Sequence, residues 1–598
     1  MSEEPKGVWQ KFRQRMRRFL AVIFLLAAVA CIAATLAALA TDGWRHVKED
    51  LRLIVWFGLI GAACGVVVLY PIPRFFSRLI LRFMRALFTR RFWKLALIVL
   101  ACLAILVALF YAEEDLRGKW AWEKYKRAWE AKGEKFDLVS LAPPPVPDGQ
   151  NFAMTRLLKT IFDYDVLTNA NETEDRVRHR DTNAWAKVQG TDAYLWVSST
   201  QTNPIYGNLD RGIFTDLESV RMFYRGNENY PQPTESKSVA EDILAAFAKF
   251  DAEFSELQEA AAARPLTRFP IAYDYDPPSS ILLPHLSVIK KISICAELRA
   301  IARLELGRGK EASTELNLCF RLSESVRQEP ILISHLVRIA TLNVALQIIR
   351  EGLARHVWND EQLIGLEDHL AAINLLAEFR QAIRGERAAN LGDIDYLRRM
   401  KWNLHFNMFT FNETEPQWHW RDFIVRFTPD GWIRQNQLTI AQIDQMEVDA
   451  VDANAHRIDF ERELSVELAA AKLRNSPYQF LARMIVPATL PALKKSVRSQ
   501  TYVDAARCAC AVERYRLTNG ELPKNLDALV PRFIDKIPND VIDGQPLRYH
   551  PAADGNYLIY SIGWNKIDDG GERYWKFPEK KLAPDFEKGD WVWSSSAP

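Results

Sequence analysis

Residues 95–111 read "LALIVLACLAILVALFY", and this stretch decides the class of fold to which the chain belongs. It carries no charged residue. As a helix rising about 1.5 Å per residue, it is close to the shortest segment that crosses a hydrocarbon core of about 30 Å. Two more uncharged stretches precede it, at residues 19–40 and 53–70. The pattern predicts three transmembrane helices within residues 1–111 and a membrane-anchored protein, for which the lipid bilayer is a partner.

The first apolar stretch has an alternative interpretation as a cleaved signal peptide. Ala38, Leu39 and Ala40 are similar to a signal-peptidase site. The apolar run is longer than the apolar region of a signal peptide, however, and two further stretches follow it. We therefore expect residues 19–40 to be retained as a transmembrane helix.

The distribution of lysine and arginine predicts the orientation of these helices. Basic residues cluster before the first apolar stretch and again at residues 74–94, where no acidic residue occurs. The loop at residues 41–52 carries as many acidic as basic residues. Because basic loops stay on the cytoplasmic side of a membrane, we expect a cytoplasmic N-terminus and an extracytoplasmic region over residues 112–598.

Composition narrows the class of protein further. The chain has 598 residues, which is more than one hydrophobic core usually organises, so several domains are expected. Its formal net charge is only +2, with acidic and basic residues interleaved outside the N-terminal region, which argues against a nucleic-acid partner. The 7 cysteines form no CxxC pair, so neither a zinc site nor a disulfide scaffold is predicted.

The region after the membrane segment divides by pattern. Residues 112–150 predict a stalk helix followed by a proline-rich linker, with tryptophans near the membrane exit, where aromatic side chains are favoured. Residues 151–237 mix loop patterns with a strand-like alternation in "DAYLWVSST" at residues 192–200. Residues 238–496 are helical in pattern and predict a large domain of solenoid or bundle type, loosely similar to tetratricopeptide modules but without a fixed repeat.

Three features of the helical region bear on function. Residues 331–353 are apolar nearly all round, which predicts a buried central helix. Within it, His335 and Arg338 share one face, either as an anion site or as polar side chains paired inside the bundle, and the second is favoured. The aromatic-rich insertion at residues 401–432 is either a surface for a partner or glycan or an arm packed on the helices, and packing is favoured.

The sequence carries no local catalytic motif. HExxH, GxSxG and GxxxxGK patterns do not occur. Asp274 and Asp276 in "YDYDPP" form a carboxylate pair, but glycoside hydrolysis needs a defined spatial separation that adjacency in sequence does not provide. A solvated turn before Pro277 is the simpler interpretation, and the balance of the sequence is against an enzyme.

Residues 497–598 form a small α+β pattern. A long helix ends at Asn519–Gly520, and two strands at residues 547–550 and 557–562 flank a turn at Asp554–Gly555. An acidic glycine loop follows, and "GDWVW" at residues 589–593 supplies a last strand.

This C-terminal part resembles the globular domain of the major pseudopilins of type II secretion systems. The resemblance rests on "ERYRLTNGELP", "NDVIDGQPLRY", "YLIYSIGWNKIDDGG" and the late "GDW". It covers about one sixth of the chain. No prepilin cleavage motif immediately precedes this part, so assembly into a pilus-like fibre is not expected. The whole chain also resembles uncharacterised bacterial multi-span membrane proteins, which implies the bacterial inner membrane but no activity.

The resemblance implies that the acidic loop binds calcium. It implies Asp568, Asp569 and Asp590 as ligands, with Asn565 and Ser561 nearby, although Asn565 stands where the family often has an acid. The oxygens suit calcium, but the spacing excludes an EF-hand. The alternative is a surface turn in which the acids cap backbone amides.

These observations predict an integral membrane protein with a large extracytoplasmic region that acts as a non-enzymatic interaction or envelope-assembly scaffold, with a protein partner in the cell envelope. The alternative is an extracytoplasmic hydrolase or glycan-binding enzyme with its cleft in residues 151–440.

Overall fold

A computed structural model describes residues 90–168, 175–190, 206–225, 227–233, 235, 237–400, 426–552, 554–576 and 584–596. The predicted spans at 19–40 and 53–70, the strand pattern at 192–200 and most of the aromatic insertion lie outside these residues. The chain divides into two compact units, residues 1–110 and 111–598, which are considered separately.

The third predicted span lies in a long helix, α1, over Arg90–Glu130. Its apolar window has none of its residues buried, and the helix is long and apolar enough to cross a membrane. Side chains such as Leu97 and Leu106 are about 60% exposed, which is unfavourable in water and favourable in lipid. One helix of the predicted set is therefore long and apolar enough to span a membrane, and the count of three stays a prediction.

The unit of residues 111–598 is mainly helical. After α1, its described helices are α2 Leu138–Leu141, α3 Arg156–Thr160, α4 Thr182–Gly190, α5 Leu217–Tyr224, α6 Val239–Phe247, α7 Asp251–Ala263, α8 Pro284–Glu305, α9 Gly309–Ser325, α10 Leu332–Ala354, α11 Asp360–Ala371, α12 Leu375–Met400, α13 Asp430–Ala450, α14 Phe460–Ala471 and α15 Phe480–Asn519. Short 3-10 turns lie at Asp148–Gln150, Phe152–Met154, Ala248–Phe250, Pro278–Ser280 and Leu526–Leu529.

Helix α10 forms the centre of this unit, as its sequence predicts. It is the second described helix with the length and composition of a membrane span, but two thirds of its apolar window is buried inside the protein. Ile339, Leu342 and Leu346 are fully buried among side chains of the neighbouring helices. The helix is therefore a core helix, because its apolar surface is already removed from water.

Helix α15 continues through two prolines. Pro487 and Pro491 both lie inside the helix, which ends at Asn519 before Gly520 in the left-handed conformation (φ 77°). Buried Val486 and Leu493 pack beside the prolines, and this packing offsets the hydrogen bonds that proline removes. The boundary placed between residues 496 and 497 falls inside α15, so the helical region and the C-terminal part share this helix.

The strands are short and antiparallel. Strands β1 Tyr164–Thr168 and β2 Asp175–His179 pair with Tyr164 opposite His179, and β3 Val451–Asp452 pairs with β4 Arg457–Ile458. The C-terminal part holds a sheet of order β5–β6–β9 and a separate β7–β8 pair. Their bounds are β5 Arg548–Pro551, β6 Tyr557–Ser561, β7 Arg573–Trp575, β8 Pro584–Gly589 and β9 Trp591–Ser594.

The predicted hairpin is confirmed, since β5 and β6 pair around Asp554–Gly555 with Arg548 opposite Tyr560. The strand predicted in "GDWVW" is β9, which pairs with β6. Ile559 and Trp593 belong to the same buried cluster as Val512 of α15. The C-terminal sheet is therefore held against the long helix by a shared hydrophobic core.

The segment predicted as a stalk is packed along one face. Within residues 111–130 of α1, Glu114, Gly118 and Trp122 are buried at helical spacing. A Cβ on Gly118 would lie 2.3 Å from the carbonyl oxygen of Gly431 at the start of α13. The Tyr125 hydroxyl donates to the carbonyl of Ala441 at 2.9 Å. This half of α1 is therefore an integral part of the globular unit and not a free spacer.

Candidate functional site

The acidic loop predicted from the sequence connects β6 to β7. Gly570 and Gly571 take φ values of 71° and 85°, a backbone conformation that L-residues with side chains adopt rarely. The loop therefore folds back so that Asp568 and Asp569 approach Asp590, which lies between β8 and β9. Three of the predicted calcium ligands therefore lie in one part of the structure, where Asp590 contacts the backbone amide of Asp569.

Asp590 is the central group of this loop. Its side chain is buried, and its two carboxylate oxygens accept hydrogen bonds from the backbone amides of Gly571 at 2.6 Å and Asp569 at 3.3 Å. The pKa of Asp590 is raised to about 6, chiefly by burial and also by the charges of Asp568 and Asp569, against the opposing effect of the two amide hydrogen bonds. Asp590 therefore organises the loop as an amide cap, in the way that acidic side chains stabilise turns.

The exposed part of the loop is held by its own side chains. Asn565 donates to the carboxylate of Asp569 at 2.9 Å and accepts from the amide of Ile567 at 3.2 Å. Asp568 accepts from the amide of Gly570 at 3.0 Å and from the hydroxyl of Tyr560 at 3.2 Å. These polar groups are satisfied within the loop and by the adjoining strand.

Ser561 belongs to a different network. Its hydroxyl is fully buried and donates to Asp540 at 2.8 Å. Asp540 also accepts from the amide of Ile562 at 3.1 Å and from the guanidinium of Arg548 at 2.7 Å. Burial raises the pKa of Asp540. Ser561 therefore belongs to a network apart from the other four predicted ligands. Its partner is Asp540, which sequence reasoning did not single out.

Calcium is bound by about six to eight oxygens arranged around one point. The oxygens of Asp590 point at backbone amides, and Ser561 is committed to Asp540. Within the described parts of the chain, no group of three or more acidic, histidine or cysteine side chains is placed to hold a metal. The residues do not form a converged calcium site as they stand, and calcium binding stays a prediction.

His335 and Arg338 have internal partners. Arg338 forms a bidentate ion pair with Glu378 of α12, and His335 lies 2.9 Å from the hydroxyl of Ser496. The pKa of His335 is lowered to about 3, chiefly by burial and also by the charge of Arg338. The pair therefore makes structural contacts between helices, as the favoured interpretation of the sequence holds.

Asp274 and Asp276, the carboxylate pair noted in the sequence, have different surroundings. Asp276 accepts two hydrogen bonds from Arg399 of α12, at 2.8 and 2.9 Å, while Asp274 is exposed. One member is thus an ion-pair partner and the other faces solvent.

A buried acidic cluster was not found by sequence reasoning. Asp444 and Glu447 lie one turn apart on α13 and are each 1% exposed. Within the described residues, neither oxygen of Glu447 has a hydrogen-bond partner. Burial raises the pKa of Glu447, and the charges of Asp444 and Glu463 raise it further. Burial also raises the pKa of Asp444 to about 8. The only sequence signal was an i, i+3 acidic spacing, which exposed helices show as well.

Two cavities are lined by described residues. One of about 250 Å³ lies between α5 and α6 and has Arg221, Gln232 and Asp242 in its wall. The other, of about 230 Å³, lies beside the acidic loop and has Asp210, Arg573 and Asp590 in its wall. Both volumes include open solvent at the mouth, so these are shallow surface clefts and not enclosed pockets of the about 300–1,000 Å³ that ligands commonly occupy.

Comparison of the chain with models of protein families, with curated proteins and with solved structures found no match. The resemblance of residues 497–598 to pseudopilins therefore remains a prediction from the sequence.

Proposed function

We propose that this chain is a membrane-anchored protein of the bacterial inner membrane whose extracytoplasmic region is a non-enzymatic interaction or envelope-assembly scaffold. The observation that carries the proposal is the division of α1. Its apolar part is fully exposed, while its polar part is built into the globular unit through Gly118 and Gly431. The same helix therefore contains an apolar segment that suits an anchor and a polar segment that belongs to the folded domain.

The state of the polar groups supports a role without catalysis. The carboxylates that the sequence offered for chemistry serve as structural partners, Asp276 for Arg399 and Asp590 for backbone amides. The cavity inside the range proposed for a hydrolase cleft has a single acidic residue, Asp242, among the residues that line it. Glycoside hydrolysis uses two carboxyl groups that face one bond.

The exposed surface supports a protein partner. Leu464 and Leu468 lie one turn apart on α14 and are about half exposed. Neighbouring apolar side chains on a surface helix are a common feature of interaction sites, since their burial by a partner contributes free energy. The proposal therefore places a partner-binding face on α14.

The first test is extraction with alkaline carbonate. A peripheral protein is released by this treatment, so we expect the chain to stay in the membrane pellet. Release into the supernatant would contradict the anchor.

The second test is the size of the particle after mild solubilisation. We expect the wild-type chain to run as a complex larger than one chain in its detergent belt, and to cross-link to the same partner in intact membranes. The L464E/L468E variant should run as the single chain with an unchanged melting temperature. A wild-type chain that is solitary in both experiments would contradict the scaffold.

A further inference from the structure

The point at which α1 leaves the apolar phase is marked by two contacts. The apolar stretch ends at Tyr111, whose hydroxyl donates to the carbonyl of Phe427. One turn later, Glu114 accepts from the hydroxyl of Tyr478 at 3.0 Å. At about 1.5 Å per residue, both contacts lie within about 5 Å of the end of the apolar stretch, which is inside the headgroup layer of a bilayer that α1 crosses.

Apolar side chains are exposed around these contacts. Leu116 lies on α1, Phe427 carries the carbonyl bonded to Tyr111, and Phe480 and Met484 follow Tyr478 at the start of α15. Their exposed fractions are 68%, 48%, 48% and 51%. These four residues are called the exit surface. The transfer of such large apolar side chains from water into the headgroup and acyl boundary of a bilayer lowers their free energy.

Basic residues adjoin the exit surface. Lys472, Arg474 and Arg483 are all exposed, and no acidic residue occurs between residues 468 and 503. Of the acidic residues at the same level of α1, Glu113 is exposed and pairs with Arg117 at 3.5 Å, Glu114 accepts from Tyr478, and Asp115 accepts from the amide of Gly431 at 2.8 Å. The combination of apolar and basic side chains is complementary to a bilayer that contains anionic lipid.

We propose that the exit surface lies in the headgroup layer of an anionic bilayer, so that the globular unit is docked on the membrane as well as tethered to it. The inference rests on the proposed anchor in α1. It assigns a lipid partner to Phe427, Phe480 and Met484, which lie more than 300 residues from the anchor in sequence.

The test uses the full-length chain in vesicles of phosphatidylcholine and phosphatidylglycerol, with a fluorescent NBD label on one cysteine and doxyl-labelled lipid as the quencher. Cys295, Cys319, Cys508 and Cys510 are buried, so they do not label in the folded protein. In a C31A/C64A background, Cys102 reports on the anchor. In a C31A/C64A/C102A background, M484C reports on the exit surface.

Leu517 provides the matched control. It lies on the same helix as Met484, is 45% exposed, and is about 50 Å further along the helix axis at 1.5 Å per residue. We expect quenching and a blue-shifted emission for labels at 102 and 484, and neither for a label at L517C. Replacing phosphatidylglycerol by neutral lipid, or introducing R474E/R483E, should reduce the quenching at 484 and leave that at 102 unchanged.

The outcomes separate the two proposals. Quenching at 102 without quenching at 484 would overturn membrane docking and leave the anchor intact. No quenching at 102 would overturn the anchor itself. Equal quenching at 484 and 517 would also overturn docking through the exit surface. The melting temperature of each labelled variant must match that of the wild type.

Discussion

Substituting Gly118 by alanine tests how α1 is joined to the globular unit. A Cβ at this position would lie 2.3 Å from the oxygen, 2.5 Å from the Cα and 2.7 Å from the carbonyl carbon of Gly431. All three are backbone atoms, so no side-chain rotation relieves the contact, and α1 and α13 must separate by about 1 Å to reach ordinary van der Waals distance.

The size of the effect follows from two opposing contributions. Overpacking of this kind costs about 1–3 kcal/mol, and the upper end applies because backbone has to move. Alanine is favoured over glycine in a helix by about 1 kcal/mol. We therefore expect G118A to lower the free energy of unfolding by about 2 kcal/mol.

The assay is urea unfolding of the purified chain in mild detergent, followed by tryptophan fluorescence and by circular dichroism. Gly365 in α11 gives a matched control, since it is exposed and a Cβ there has nothing within 4 Å. G365A should raise the stability by about 0.5–1 kcal/mol. If G118A were as stable as the wild type, or if it shifted in the same direction as G365A, the backbone contact between α1 and α13 would be refuted.

Four further predictions concern the polar groups. R338A removes one member of the buried ion pair with Glu378, and we expect a loss of about 3 kcal/mol in urea unfolding, because among the described residues the remaining carboxylate keeps only Arg327, at 3.1 Å. E447Q should stabilise the protein at pH 8 and have little effect at pH 5, because burial raises the pKa of Glu447 and the fold loses stability from that group as the pH rises. Folding raises the pKa of Asp590 from 3.8 to about 6, so raising the pH from 4 to 7 should remove about 2 kcal/mol of stability through this group. This energy already includes a reduction for the screening of the exposed Asp568 and Asp569. D590N should abolish the dependence. Because the loop caps its own amides, we expect millimolar calcium to leave the melting temperature of the wild type unchanged.

Three of these predictions would be contradicted by the following results. Stabilisation of the wild type by sulfate that R338A lacks, or no loss of stability in R338A, would favour an anion site over an ion pair. Equal effects of E447Q at both pH values would show that Glu447 is not buried in its acid form. A rise in melting temperature with calcium in the wild type, absent in D590N, would establish the calcium site that the sequence predicts.

Local patterns predicted the elements that local interactions define. The all-apolar run of α10, the glycine turn at Asp554–Gly555 and the helix end at Gly520 are each determined by a few neighbouring residues. Burial of the central helix follows directly from its lack of a polar face.

Features that depend on contacts distant in sequence were not predictable in the same way. The approach of Gly118 to Gly431 joins residues more than 300 positions apart, and neither glycine stands in a motif. The burial of Asp444 and Glu447 depends on how deeply α13 is packed, which their spacing does not reveal.

The position of Ser561 could have been inferred from strand alternation. Ser561 shares one face of β6 with Tyr557 and Ile559. Tyr560 lies on the other face, and its hydroxyl donates to Asp568 in the acidic loop. Grouping Ser561 with the loop residues followed the order of the sequence, while the pleat of the strand directs it to Asp540.

The central claim is that α1 anchors a large extracytoplasmic unit, and a pair of reporters fused after Pro598 tests it most directly. Alkaline phosphatase folds to its active form only outside the cytoplasm, and green fluorescent protein exported in unfolded form is fluorescent only inside it. We predict that the phosphatase fusion is active and the fluorescent-protein fusion is non-fluorescent, both in the membrane fraction. An inactive phosphatase with a fluorescent partner fusion would contradict it.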